Sequence, residues 1–126
     1  MLTQARITTM LPVKDMDRAR AFYEGRLGLR PDGGARVDGR YEYEVGGSRI
    51  ALIPREGGSK AEHTALSFEV RDIAARIREL QSAGVQFENY DLPGLKTVEH
   101  VCVLGSEKAA WFRDPEGNYL CLHEEV

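Results

Sequence analysis

Cysteine, tryptophan and proline are scarce in this chain: 2, 1 and 5 residues respectively out of 126. Cys102 and Cys121 are too few and too far apart in sequence for a Cys-x-x-Cys redox pair or a zinc knuckle, so two free thiols in a reducing compartment are expected. Long apolar runs are missing as well. None approaches the ~20 residues that carry a helix across a bilayer, and no membrane partner is expected. Charge of one sign is also lacking. Lys plus Arg number 17 against 20 Asp plus Glu, the net charge is -3, and the basic residues are scattered from Arg6 to Arg113. Nucleic acid and acidic membrane surfaces are therefore not expected partners. The patterns Gly-x-Gly-x-x-Gly, the phosphate loop, His-Glu-x-x-His and Gly-x-Ser-x-Gly do not occur. The opening residues, Met1-Leu-Thr-Gln-Ala-Arg, lack the charged start and apolar middle of a secretory leader, and a cytoplasmic location is expected.

What is there is an ordinary globular composition, 42% hydrophobic and 29% charged, over a length that suits one domain spanning 1–126. A chain of this mass buries about two thirds of its exposable surface, enough for a core without a disulfide or metal staple. Two segments carry helical periodicity. Asp15 can cap a helix with apolar positions Met16, Ala19, Phe22, Tyr23 and Leu27, closed by Gly28. Asp72 can cap a second, with a stripe of Ile73, Ile77 and Leu80, closed by Gly84. The two starts match: Val13-Lys14-Asp15-Met16 and Val70-Arg71-Asp72-Ile73 agree in type at an offset of 57 residues, which reads as a weak internal repeat. Strands are predicted at 5–13, 29–36, 40–46 and 48–54, then at 62–70, 85–90, 98–104, 108–113 and 118–124. Gly46-Gly47-Ser48, Gly105-Ser106-Glu107 and Asp114-Pro115-Glu116-Gly117-Asn118 supply the turns. Residues 55–60 and 91–96 are expected to be mobile loops. The fold class predicted is α+β, two copies of a strand, helix and three strands.

A duplicated βαβββ unit with this wording resembles the vicinal oxygen chelate superfamily, which groups glyoxalase I, the bleomycin resistance proteins and the extradiol dioxygenases. The resemblance rests on Met10-Leu-Pro-Val-Lys-Asp-Met, Ala21-Phe-Tyr-Glu, Leu27-Gly-Leu, Ala65-Leu-Ser-Phe-Glu-Val and Trp111-Phe-Arg-Asp-Pro-Glu-Gly-Asn, in that order. It implies two modules, about 5–54 and 62–124, whose sheets curl into an open cup with helices packed outside. It also implies a homodimer. In the enzymes of the superfamily the cup holds a divalent metal on four side chains, one each from the first and fourth strands of the two modules.

Strand parity locates those positions here, because residues facing the cup alternate with those facing the helix. Ile7, Thr9, Leu11 and Val13 are expected to face the helix, leaving Thr8; by the same parity Ala51, Ala65 and Cys121 complete the set. The two alanines offer no ligand atom, so no metal cofactor is expected at the inherited positions. The alternative is a divalent metal displaced toward the rim on His63 and His123, with Cys121. Cys121 and His123 are also conceivable as nucleophile and base, against the plainer reading of a packed thiol and an edge imidazole. Arg49 is expected to project into the cup and hold an anionic group of a ligand, or else to reach water. Tyr41, Tyr43 and Trp111 are candidate aromatic walls, with sheet packing as the competing reading. Residues 90–97 form a candidate lid. Glu69, Glu99, Glu107 and His100 have no assignable partner. The expectation is a protein that holds a small organic molecule without transforming it, similar in design to the metal-free bleomycin resistance branch. Its rivals are an enzyme, either a lyase, isomerase or dioxygenase using the displaced metal or one running a metal-independent reaction on Arg49, and a module with a self-filled cup that serves only to dimerise or to present a surface.

Overall fold

The computed structural model describes residues 1–125. The chain divides into two units, one of Met1–Ser59 and one from Lys60 onward. The first unit runs β1 (Thr8–Val13), α1 (Met16–Arg20), β2 (Tyr41–Val45) and β3 (Ser48–Pro54). Its sheet has the order β1-β3-β2, with β1 parallel and β2 antiparallel to β3. Asp15 caps α1 as its sequence position suggests, accepting from the Arg18 N–H at 3.1 Å. Past Arg20 the helix widens into a π-helical stretch, Ala21–Arg26, with the Leu27 N–H donating to the Phe22 carbonyl five residues back. In the wider turns the adjacent Phe22 and Tyr23 are both buried, their rings edge to face at 5.3 Å. Thr9, Leu11, Val13, Ile50 and Leu52 share the helix-facing side of the sheet by register, and all but the half-buried Thr9 are buried. Ile7, expected to join them, lies before the strand and is 72% exposed.

The second unit runs β4 (Thr64–Glu69), α2 (Ile73–Ser82), a short hairpin of β5 (Asp91–Leu92) and β6 (Leu95–Lys96), then β7 (Cys102–Leu104), β8 (Glu107–Arg113) and β9 (Tyr119–Glu125). The main sheet has the order β4-β9-β8-β7, with β4 parallel to β9 and the remaining pairs antiparallel. Asp72 caps α2 from a left-handed backbone, φ 52°, and Glu124 of β9 accepts from the Asp72 and Ile73 N–H groups at 2.9 and 3.0 Å. Those bonds satisfy donors that a helix start leaves open, and they fix which side of β9 faces α2. Leu120, Leu122, Ala110 and Phe112 lie on that side and are buried.

Three strand expectations change. Residues 29–36 make only one bridge, Pro31 to Tyr43, because Pro31 has no N–H and Gly33 and Gly34 break the run; the first unit therefore has two strands after its helix rather than three. Residues 85–90 likewise contribute a single bridge, Phe87 to Phe112. The expected strand 98–104 shortens to β7, because Glu99 and His100 both take positive φ in a tight turn between the bridged Val98 and Val101. The expected loop 91–96 is instead the β5–β6 hairpin, turned by Pro93 and a left-handed Gly94, the arrangement of a type II turn. No helix among the described residues is long and apolar enough to cross a membrane.

Candidate functional site

Each unit presents one sheet face to its helix and one face free of it, and the two free faces differ in chemistry. In the first unit, register places Thr8 beside Arg49 and Glu44, and Met10 beside Ala51 and Glu42, on the helix-free side. Arg49 does project from this side, yet its guanidinium is already engaged. One Nη donates to Asp32 at 2.9 Å and Glu42 at 3.0 Å, and the other to Glu44 at 2.9 Å. Glu42 is 8% exposed and also accepts from the Arg40 Nε at 2.6 Å, with Arg36 at 3.6 Å. The Arg40 hydrogen bond, followed by the other guanidinium charges, holds the Glu42 carboxyl below its ordinary range despite burial. This face is neutralised from within, so Arg49 is not the free anion holder that the sequence suggested.

Tyr41 and Tyr43 share a face, and it is the helix side. The Tyr43 hydroxyl donates to Glu24 at 2.7 Å, Arg20 donates to the same carboxylate at 2.8 Å, and the Arg20 guanidinium lies 4.0 Å from the centre of the Tyr41 ring. Burial first, and then the bond to Glu24, pushes the Tyr43 phenol well above its usual value. Neither tyrosine is a wall on the helix-free side; both belong to the packing between β2 and the helix.

In the second unit the helix-free face carries Trp111 of β8 opposite Cys121 of β9, with Ser67 of β4 on the other flank of Cys121. The next rung is Ala109, His123 and Glu69. Tyr90 stands edge-on to Trp111 with ring centres 5.8 Å apart, and the indole N–H donates to Thr64 at 3.3 Å. Cys121 and Ala109, 5% and 8% exposed, form a small-residue floor beside that aromatic pair. Burial pushes the Cys121 thiol up, and its S–H donates to the Leu122 carbonyl at 3.2 Å. The imidazole of His123 turns elsewhere: its Nδ1 lies 2.6 Å from the Ser67 hydroxyl and its Nε2 3.7 Å from Glu69. Cys121 and His123 are thus not a nucleophile and base pair.

Sequence reasoning missed Ser67, left Glu69 without a partner and placed Tyr90 in a lid rather than beside Trp111. Ser67 has the parity of Ala65, and the parallel register between β4 and β9 sets it opposite Cys121; the register shifts between Thr64 and Leu66, where Ala65 lies. Ala65 has no register partner on β9. His63 lies in an exposed bend before β4, while His123 pairs with Glu69 at the far end of the same parallel pair. At ~3.3 Å per residue the two histidines are about 16 Å or more apart along the strand, which corrects the displaced site proposed from them.

The inherited metal positions fare no better. Thr8, Ala51, Ala65 and Cys121 offer one hydroxyl and one buried thiol held in its protonated form, and the alanines no donor atom. Among the described residues no group of three or more His, Cys, Asp and Glu side chains is placed to hold a metal ion. The donor set does not fit a divalent cation.

A sequence model described as Glyoxalase/Bleomycin resistance protein/Dioxygenase superfamily matches residues 6–122. Similar solved structures include a protein from Bacillus anthracis assigned to the glyoxalase family, at 17% identity and TM-score 0.77, covering 98% of this chain and 96% of that one. Another is TnmS3, an antibiotic binding protein from Streptomyces sp. CB03234, at 21% identity and TM-score 0.73, covering 100% and 99%. A third is the fosfomycin resistance protein FosX from Listeria monocytogenes, at 15% identity and TM-score 0.74, covering 100% and 94%. No curated protein matches the sequence significantly.

Proposed function

Because the chain belongs to the glyoxalase/bleomycin resistance protein/dioxygenase superfamily, we propose that it binds a small aromatic organic molecule on the helix-free face of its second unit, without a resident metal and without transforming its ligand. The observation that carries this reading is the aromatic corner of Trp111 and Tyr90 beside the floor of Cys121 and Ala109, with Ser67 and His123 as polar groups next to it. A flat ring stacks or packs edge-on there, and a few polar atoms fix its orientation, which is the usual division of labour in small-molecule sites. The fold shared with an antibiotic binding protein and a fosfomycin resistance protein supports a ligand of that size. The exposed apolar Val103 and Leu104 on β7, the edge strand of the second sheet, support a homodimer.

Trp111 is the single tryptophan, so its fluorescence reports on the site directly. Titration with a library of aromatic antibiotics and metabolites is expected to give saturable quenching by at least one compound. The same compound is expected to raise the melting temperature, since binding to the native state stabilises by RT ln(1 + [L]/Kd). Saturable thermal stabilisation with an unchanged Trp111 signal, or an equally strong shift in Trp111→Ala, would place the ligand elsewhere. Light scattering that finds one monomer mass would remove the dimer from the proposal.

A further inference from the structure

The contact between Ser67 and His123 bears on what kind of aromatic ligand the face takes. The Ser67 hydroxyl lies 2.6 Å from Nδ1 of His123, and Nε2 lies 3.7 Å from the Glu69 carboxylate. A neutral imidazole so placed accepts the Ser67 proton at Nδ1 and carries its own proton on Nε2, toward Glu69. On the same face Glu107 and Glu125 oppose each other one rung beyond Ala109 and His123. The thiol of Cys121 is engaged with a backbone carbonyl. Arg113, on the same face, stands at the other end of β8, bound to Glu88 at 3.0 Å. Among the described residues, the charged neighbours of His123 by register on this face are thus the carboxylates of β4, β8 and β9. Base, hydroxyl and carboxylate form a chain with the connectivity of a nucleophile, base and orienting group.

We propose that Ser67, His123 and Glu69 form a proton relay that takes the acidic hydroxyl proton of a bound phenol or enol, so that the site holds its aromatic ligand as the oxyanion. The proposal rests on the reading of this face as the ligand site. The ligand O–H bond breaks and its proton passes to the Ser67 oxygen while the Ser67 proton passes to Nδ1 of His123. What results is a ligand oxyanion accepting a hydrogen bond from Ser67 and an imidazolium held between Ser67 and Glu69. Nothing else is consumed, and the proton returns when the ligand leaves. The dimensions suit one ring. Ser67, Cys121 and Trp111 occupy a single rung across three strands, about 10 Å from first backbone to last, and the Trp111 indole leans across β9 until its N–H meets Thr64 on the strand of Ser67. A phenol laid against that indole turns its oxygen toward Ser67.

The probe is 4-nitrophenol, whose neutral and ionised forms absorb at different wavelengths, added to the full-length protein at a pH where the free probe is mostly neutral. Its phenolate band is expected to grow in step with quenching of Trp111, with the bound probe ionising about tenfold more readily than the free one, a shift of about one pKa unit. His123→Gln and Ser67→Ala are each expected to abolish the extra phenolate while melting cooperatively, and Glu69→Gln to reduce it. Quenching with an unchanged probe spectrum would overturn the relay and leave ligand binding standing. The same phenolate fraction in His123→Gln would overturn it too. If 4-nitrophenol neither quenches nor shifts while compounds without an ionisable hydroxyl do quench Trp111, the phenol class is wrong and the binding face is right. If no compound of either kind quenches, both fall.

Discussion

Replacing Asp114 with alanine is expected to cost about 3–5 kcal/mol of folding stability. The carboxylate sits inside the turn between β8 and β9 and is 5% exposed, beside Asn118 at 2%. Its Oδ1 accepts from the N–H groups of Glu116 at 2.9 Å and Asn118 at 2.8 Å, and its Oδ2 accepts from the Asn118 side-chain amide at 2.9 Å. Hydrogen bonds to a charged group contribute about 1.5–3 kcal/mol each, but bonds sharing one carboxylate are coupled and do not add fully. Alanine also leaves the Asn118 donors buried without an acceptor, the more expensive half of the loss. Asp114→Asn keeps the shape but turns an N–H2 toward one donor, and about 1–3 kcal/mol is expected. Urea unfolding followed by Trp111 fluorescence measures both variants, the alanine midpoint falling by about 2 M at a typical slope for a small domain. Against a total of about 5–15 kcal/mol this is a large share, and it falls on the two strands that carry Trp111, Cys121 and His123. A loss below about 1 kcal/mol for alanine, or an asparagine variant worse than alanine, would refute this account of the turn.

Further outcomes follow from other particular contacts. Tyr43→Phe removes a buried hydroxyl from Glu24 and is expected to cost about 1–2 kcal/mol in the same unfolding assay; an unchanged midpoint would mean that the bond is dispensable. The acid limb of stability is expected to come in part from Glu24 and Glu42. Burial would raise Glu24, but the hydrogen bonds from Tyr43 and Arg20 outweigh it, and both carboxyls end below the ordinary value of 4.5. A carboxyl depressed in the native state stabilises fully above its unfolded value and loses that contribution as pH falls through the native value. Melting temperature should therefore be level above pH 4.5 and fall below it, with a shallower fall in Tyr43→Phe; a rise on acidification would reverse the sign. Finally, Glu99 and His100 hold φ of 50° and 73°, which L side chains tolerate poorly. Glu99→Asn with His100→Gly, the pair that two-residue hairpin turns favour, is expected to stabilise by about 0.5–1 kcal/mol, and a destabilised double variant would show that the native side chains earn their place.

Local signals in the sequence carried much of the fold. The caps at Asp15 and Asp72, the left-handed glycines at 28 and 84 and the Asp-Pro-Glu-Gly-Asn turn all act where their chemistry puts them. The parity of Leu11, Val13, Ile50, Leu52, Leu120 and Leu122 was legible because alternation is a property of the strand itself. Register and strand direction were not, because they depend on pairs far apart in sequence. His63 and His123 look adjacent when two strands are laid antiparallel; the parallel pairing of β4 with β9 sends them to opposite ends. Parity also cannot say which side of β2 the helix covers, and so Tyr41 and Tyr43 were indistinguishable from pocket walls until Arg20 and Glu24 were located. Arg49 failed for a similar reason. Its side of the sheet was correct, but its carboxylate partners come from a turn and a neighbouring strand, Asp32, Glu42 and Glu44.

The two units carry the same opening motif and have treated their helix-free faces in opposite ways. In the first, the polar side chains on that face answer one another, Arg49 and Arg40 closing on a buried Glu42, so that a ligand anion approaching Arg49 must displace a carboxylate already in hydrogen-bond contact. In the second, Cys121 and Ala109 are small and buried, an aromatic pair stands beside them, and the imidazole is held toward a serine rather than saturated by an arginine. Self-neutralised ion pairs have little to gain from a ligand, because each new contact is exchanged for one of similar strength. Aromatic area beside a small-residue floor gains on contact, since apolar surface leaves water and little is broken in return. The physical difference between the two faces is thus the reason for proposing the ligand on the second unit even where sequence repetition treats both alike.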